Sequence, residues 1–124
     1  MLKGIRGAIS VDQNTSEAII DRTKELLIEI DRINHLDISR IASVFFTLTP
    51  DLNATFPAVA ARLYGWTEIP LICAQEIDVP GALPKCIRVL IHYNVLEGDV
   101  LVPVYLGEAI KLRKDLSVDK VDLQ

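Results

Sequence analysis

The chain has 124 residues, of which 50 % are apolar and 24 % are charged, and its formal net charge is −4. This length is enough for one domain with its own core and too short for two independent domains. The acidic balance excludes a general nucleic-acid binder, because no basic stripe is available to neutralise phosphates.

The apolar residues are mostly aliphatic, since mean hydropathy is +0.30 while aromatic residues make up only 6 % of the chain. So small a domain exposes part of this excess unless its sheet is covered on both faces or a subunit interface covers the remainder. No apolar run approaches the roughly 18–20 residues of a membrane span, and charges interrupt the first residues, unlike a secretory signal. We therefore expect a cytoplasmic oligomer with no membrane partner, in which Cys73 and Cys86 are reduced thiols.

The first predicted strand covers residues 2–11. Strict alternation puts Ile5 and Ile9 on one face of this strand. It puts Arg6 and Ala8 on the other face. The strand thus combines an apolar side with a side that carries a charge.

A long helix is predicted next. Asn14 or Thr15 caps its start, with Glu17 placed as in a capping box, and the helix ends at about Asn34. Apolar residues recur along it at helical spacing: Ile19, Leu26, Leu27, Ile30 and Ile33. The charged residues between them predict a solvated face and nothing more.

Four more strands and a short helix complete the order. They are predicted as strand 41–49, helix 56–64, strand 69–74, strand 84–95 and strand 102–106. Mixed strands with one long and one short helix predict an α+β or α/β sheet that helices cover on one side. We expect one domain over residues 1–124, of which about 114–124 form a polar, mobile tail.

Two arginines lie in otherwise apolar strands: Arg6 in the first and Arg88 in the fourth. A buried guanidinium is costly unless it meets an anion or stands at an edge. One interpretation is an internal ion pair of Arg88 with Glu76 or Asp78. The other is a pocket in which guanidinium groups bind carboxylates bidentately. The further arginines Arg62 and Arg113 favour the pocket, so that the sequence supports the two interpretations equally.

The sequence has no motif for metal, cofactor or nucleophilic chemistry beside these arginines. His35 and His92 form no metal-ligand spacing with the two cysteines, and Cys73 has no neighbouring histidine. Strict alternation puts Cys73 and Glu76 on opposite faces, so a shared site requires the strand to end or bulge between them. We expect no metal and no cofactor, and a dianionic substrate that undergoes little proton transfer.

Seven short segments carry a resemblance to a known family. They are GIRGA (4–8), TPDL (49–52), FPA (56–58) with Arg62 beyond it, CAQE (73–76), CIRV (86–89), VYL (104–106) and LR (112–113). In this order and spacing they resemble the monofunctional, trimeric class of chorismate mutase. That class implies an α+β fold, a mixed five-stranded sheet with one long and one short helix that trimerises into a pseudo-α/β barrel.

The resemblance also implies an activity. Chorismate would rearrange to prephenate by a unimolecular Claisen reaction of aromatic amino acid biosynthesis, the shikimate route, at a site between subunits. By similarity, Arg88 would bind the ether oxygen and Glu76 the ring hydroxyl beside Cys73, while Arg6 and Tyr105 would hold a carboxylate. The other implied substrate contacts are Phe56, Ala58, Arg62, Ile72, Leu112 and Arg113.

The sequence departs from this class in a few places. Val59 replaces a charged residue, Ile72 replaces a threonine or serine, and residues 102–103 replace a basic pair; Lys114 replaces a proline. None of these is a residue to which the resemblance gives the chemistry. The departures concern substrate capture.

Two other functions stay open. One is a trimeric imine or enamine deaminase, in which Glu76 acts as an acid–base group on water and gives the pH–rate profile a limb. The other is a non-catalytic trimer that binds a metabolite of the aromatic pathway. A mutase without proton transfer has a nearly flat profile around neutrality.

Overall fold

The structure is a computed structural model, and it describes residues 1–112. All five predicted strands and both predicted helices are present in the predicted order. The strands are β1 (Leu2–Ser10), β2 (Ile41–Leu48), β3 (Leu71–Gln75), β4 (Cys86–Asn94) and β5 (Val104–Leu106), and the helices are α1 (Ser16–Asn34) and α2 (Ala58–Leu63). Two short 3-10 turns, Ile38–Arg40 and Gly107–Ala109, were not predicted.

The strands form one sheet in the order β3-β2-β4-β1-β5. β4 pairs antiparallel with β1 and with β2, whereas β5 joins β1 and β3 joins β2 in parallel. The sheet is therefore mixed, and the predicted α+β fold with five strands, one long helix and one short helix is confirmed. No described helix is long and apolar enough to cross a membrane.

Local contacts decide where the elements end. The fifth strand begins two residues later than predicted. The Val102 N–H donates to the Asn34 side chain at 2.7 Å, and this bond holds Val102 at the end of α1. β4 begins only at Cys86, since Lys85 has a left-handed φ of 48° that breaks the strand before it. Gly65, with φ of 108°, stops α2 as its position predicts.

Thr15 is the residue that caps α1. Its side chain accepts a hydrogen bond from the Ala18 N–H at 3.1 Å. Asn14 is wrong as the cap, because its side chain is used elsewhere: it donates to the Asn53 side chain and accepts from the N–H groups of Asn53 and Ala54. Asn14 thus links the start of α1 to the loop after β2.

One face of the sheet is covered by α1 and α2, and we call it the covered face. Ile5 and Ile9 lie on it and are fully buried, as the alternation of β1 predicts. Gly7 lets α1 come close, since a Cβ there would stand 2.7 Å from Ile30 Cδ1. The other buried strand residues of this core include Val44, Phe46, Ile87, Val89 and Ile91.

The opposite face is different, and we call it the open face. Residues paired directly across strands share a face, and the register places Arg6 with Leu90, Ala8 and Thr47 with Arg88, and Phe45 with Leu90 and Ile72. Phe45 is 42 % exposed and Ile72 is 55 % exposed. Part of the apolar excess of the composition is therefore exposed on a face that residues 1–112 leave uncovered.

Candidate active site

Arg88 lies in the middle of the open face, where β4 sets it between Ala8 of β1 and Thr47 of β2. Its Nε is 3.3 Å from Glu76 Oε2. The Arg88 side chain is 47 % exposed and that of Glu76 is 17 % exposed. Of the two predicted partners, the ion pair forms with Glu76 and not with Asp78.

Glu76 lies on the open face, opposite Cys73, as strict alternation along β3 predicts. β3 ends at Gln75, and the Glu76 N–H still donates to the Leu48 carbonyl at 2.8 Å. The Thr47 hydroxyl donates to Glu76 Oε2 at 2.5 Å. β2 thus holds Glu76 at two points, the carboxylate through Thr47 and the backbone through Leu48.

A cavity of about 380 Å³ opens over this part of the sheet. Its size is in the range of small-molecule sites. It is lined by Arg6, Gly7, Ala8, Phe45, Thr47, Arg88, Val89, Leu90, Tyr105 and Leu112. Two guanidinium groups, Arg6 and Arg88, line this cavity, and guanidinium groups favour carboxylate ligands. The ion pair with Glu76 is thus present, and the anion pocket stays a prediction.

Tyr105 is positioned by β5, whose parallel pairing with β1 puts it beside Ala8. Ala8, Cys86, Tyr105 and Ala109 form a small second core, against which Leu112 packs. Burial raises the pKa of the Cys86 thiol to about 11, although the Arg88 charge opposes this rise. Cys86 is therefore a neutral packing residue beneath the site at pH 7.

A second cavity of about 410 Å³ lies elsewhere, between the end of β3 and the loop before α2. It is lined by Leu48, Leu52, Asn53, Ala54, Thr55, Phe56, Cys73, Ala74 and Gln75. Cys73 pairs with Phe46 and therefore points to the covered face, opposite Glu76. Burial raises the pKa of its thiol against the effects of the Ala58 backbone and the Arg62 charge.

The structure divides the predicted site residues into two groups. The open-face group consists of Arg6, Glu76, Arg88, Tyr105 and Leu112. The edge group, at β3 and α2, consists of Phe56, Ala58, Arg62 and Cys73. The lining residues of the two cavities do not overlap.

Two predicted residues belong to neither group. Ile72 lies on the open face beside Phe45, and Arg113 lies outside the described residues. Phe45, Thr47 and Leu90 also line the open-face cavity and were not predicted from the sequence. Thr47 could have been predicted, because its hydroxyl lies between apolar residues of a strand. Within residues 1–112, no three His, Cys, Asp or Glu side chains are grouped so as to hold a metal ion.

Residues 2–116 match the family model described as chorismate mutase type I. Chorismate mutase AroH of Thermus thermophilus is 47 % identical over 118 residues, which cover 94 % of this chain and 97 % of the relative. Chorismate mutase AroH of Bacillus subtilis (strain 168) is 43 % identical over 122 residues, covering 97 % and 96 %. The solved structure of a chorismate mutase from Clostridium thermocellum is 47 % identical and matches with a TM-score of 0.84, covering 88 % of this chain and 98 % of that one.

Proposed function

The chain belongs to the chorismate mutase type I family, and from this we propose that it is an isomerase that rearranges chorismate to prephenate. The observation that carries the proposal is the pairing of Glu76 with Arg88, one of two guanidinium groups that line the open-face cavity. The reaction is unimolecular and transfers no group to the protein. Such a site has to select the reactive conformer and stabilise charge in the transition state.

The ether oxygen, the ring hydroxyl and one carboxylate of the substrate each have a partner in the open-face group. The Arg88 guanidinium donates to the ether oxygen, which gains negative charge as the C–O bond breaks. Glu76 accepts a hydrogen bond from the ring hydroxyl. Arg6 and Tyr105 bind a carboxylate, and Leu112 supplies apolar wall. Strand pairing on both sides fixes the backbone of Arg88 before substrate arrives, and a preorganised donor needs little reorganisation in the reaction.

Charge balance indicates that the open-face group supplies only part of the site. The open-face group has two guanidinium groups and the Glu76 carboxylate, so one positive charge is in excess among its described residues. Chorismate has two carboxylates. A further arginine beside the second carboxylate completes the match. Arg62 of the edge group and Arg113 are the candidates.

We therefore propose a homotrimer in which the open-face group of one copy and the edge group of a neighbour enclose one substrate molecule. The exposed Phe45 and Ile72 support this arrangement, because apolar side chains on a sheet face are stabilised by a subunit interface. Cys73 and Phe56 then meet the substrate from the neighbouring chain. Cytoplasmic localisation fits this proposal, since both cysteines are free thiols.

The test is a direct assay with purified protein and chorismate, without added cofactor and after treatment with a chelator. The proposal predicts loss of the chorismate absorbance, formation of prephenate as the sole product and a rate proportional to enzyme. An Arg88→Ala preparation purified in parallel controls for contaminating activity. Conversion no faster than in buffer, or a product other than prephenate, contradicts the proposal.

A further inference from the structure

We propose that Thr47 is a positioning residue of this reaction, whose hydroxyl fixes one oxygen of the Glu76 carboxylate and leaves the other for the substrate. The inference rests on the proposed function, because it takes Glu76 as the acceptor for the ring hydroxyl. It assigns Thr47 no contact with the reacting atoms. Thr47 acts through Glu76 and, through the shared ion pair, on Arg88.

The geometry places both interactions on one oxygen. Thr47 Oγ1 donates to Glu76 Oε2 at 2.5 Å, and Arg88 Nε lies 3.3 Å from the same Oε2. The Thr47 hydrogen bond and the Arg88 ion-pair contact thus both fall on Oε2. Oε1 is the oxygen that this arrangement leaves to accept a proton donor from a ligand.

Thr47 is a rigid point from which to hold the carboxylate. Its strand is paired on both sides, with Arg88 of β4 opposite Thr47 on one side and Ala74 of β3 on the other. Threonine is β-branched, so its χ1 angle is restricted and the hydroxyl direction is defined. The Glu76 backbone is tied to the next residue of the same strand by its N–H bond to Leu48.

The Thr47 hydroxyl also affects which N–H groups of Arg88 remain free to bind the substrate. A guanidinium and a carboxylate prefer a bidentate pair with two parallel hydrogen bonds. In the structure, the ion-pair contact joins Arg88 Nε to Oε2, the same oxygen that accepts the hydrogen bond from the Thr47 hydroxyl. Without that hydroxyl, the carboxylate is free to turn into a bidentate pair. The outer N–H groups of Arg88 would then be withdrawn from the ether oxygen.

The test compares Thr47→Val, which removes the hydroxyl and keeps the shape, with Thr47→Ser, which keeps the hydroxyl. We expect Thr47→Val to lower kcat about 10- to 100-fold, as for loss of a hydrogen bond to a charged group, with a smaller change in KM. Thr47→Ser should restore kcat to within about threefold of the wild type. Thr23→Val is the matched control, since Thr23 is buried in α1 and its hydroxyl binds the Ile19 carbonyl.

A second comparison separates positioning from a general structural effect. In a Glu76→Ala background, Thr47→Val should cause no further loss of kcat, because the group that it positions is absent. Thr47→Ala repeats the measurement with a smaller side chain, should the valine variant fold poorly. Unchanged kcat in Thr47→Val, failure of Thr47→Ser to restore it, or a full additional loss beside Glu76→Ala overturns the inference.

The hydrogen bond is also measured without turnover, which keeps this inference separate from the proposed function. The ¹³C resonance of the Glu76 side-chain carboxyl, assigned by its absence in Glu76→Ala, should move in Thr47→Val. It should stay in place in Thr23→Val and nearly so in Thr47→Ser. A resonance that does not move in Thr47→Val overturns the inference even when the enzyme is active. An inactive wild type overturns the proposed function, and with it the assignment of Thr47 to this reaction.

Discussion

The two faces of the sheet differ although the same strands form both. Phe46, on the covered face, is fully buried under the helices, and its neighbour Phe45, on the open face, is 42 % exposed. The covered face is aliphatic and aromatic throughout its core. The open face instead combines exposed apolar side chains with Arg6, Arg88 and Glu76.

This difference separates stability from function. Burial of apolar surface on the covered face is the main source of folding free energy. A half-exposed ion pair such as that of Arg88 with Glu76 contributes little to stability, because solvent screens it. The proposed ligand and neighbouring subunit would explain why the open face carries these residues. Substitutions on the two faces should change different measured quantities.

The largest effect is expected for Phe46→Ala, which leaves a cavity in the closed core. We expect the free energy of unfolding to fall by about 3–5 kcal/mol, whereas kcat of the molecules that remain folded should change little. Phe45→Ala is the matched variant on the other face. This variant should weaken subunit association, measured by sedimentation, more than it destabilises the fold. Denaturation at equal protein concentration compares the stability of the two variants. An equal loss of stability in both contradicts the distinction between the faces.

Arg88→Ala should have the next largest effect, and on activity alone. Removal of a preorganised donor at the developing charge should lower kcat by at least about 10²-fold. The midpoint of denaturation should stay close to that of the wild type, because the lost ion pair is half exposed. Arg32→Ala, which breaks an exposed pair with Glu29 on α1, is the control and should retain full activity. A near-normal kcat in Arg88→Ala shows that the electrostatic role is assigned to the wrong residue.

A mixing experiment tests whether the open-face and edge groups act across subunits. When Arg88→Ala and Arg62→Ala chains are refolded together in equal amounts, about a quarter of the interface sites should regain both intact groups. Arg6→Ala mixed with Glu76→Ala should recover nothing, since one chain places both residues on its open face. Steady-state rates of the two mixtures are compared with those of the parent variants. Recovery in the second mixture, or none in the first, contradicts the shared site.

The smallest effect is expected on the covered side, at Tyr64. Burial and the hydrogen bond that its hydroxyl donates to Asp31 at 2.7 Å raise the pKa of Tyr64 to about 12. Because this value lies above the unfolded value of about 10, the stabilisation is complete below pH 10 and is lost as the pH rises toward 12. Tyr64→Phe should destabilise the fold by about 1–2 kcal/mol at neutral pH. Between pH 10 and 12, the free energy of unfolding should decline less in this variant than in the wild type, as measured by denaturation at several pH values. An equal decline in both proteins shows that other groups cause it.

Local patterns predicted much of the fold. Period-two alternation separated Ile5 and Ile9 from Arg6 and Ala8, and helical spacing defined the buried side of α1. The predictions failed where a distant residue takes part. The fifth strand starts late because Asn34 binds Val102, and Asn14 does not cap α1 because its side chain binds the loop after β2. Neither partner is near in sequence.

The candidate site likewise depends on contacts between residues that are distant in sequence. The sequence determined which residues carry charge in apolar strands, and the resemblance of its segments identified Arg6, Glu76 and Arg88 as members of one site. Only the tertiary structure decided that Glu76 meets Arg88 and Thr47, and that Cys73 and Phe56 lie apart from them in the chain. The physical reason is that strand alternation is a local property of the backbone, whereas the register of β2 against β3 and β4 depends on packing between distant segments.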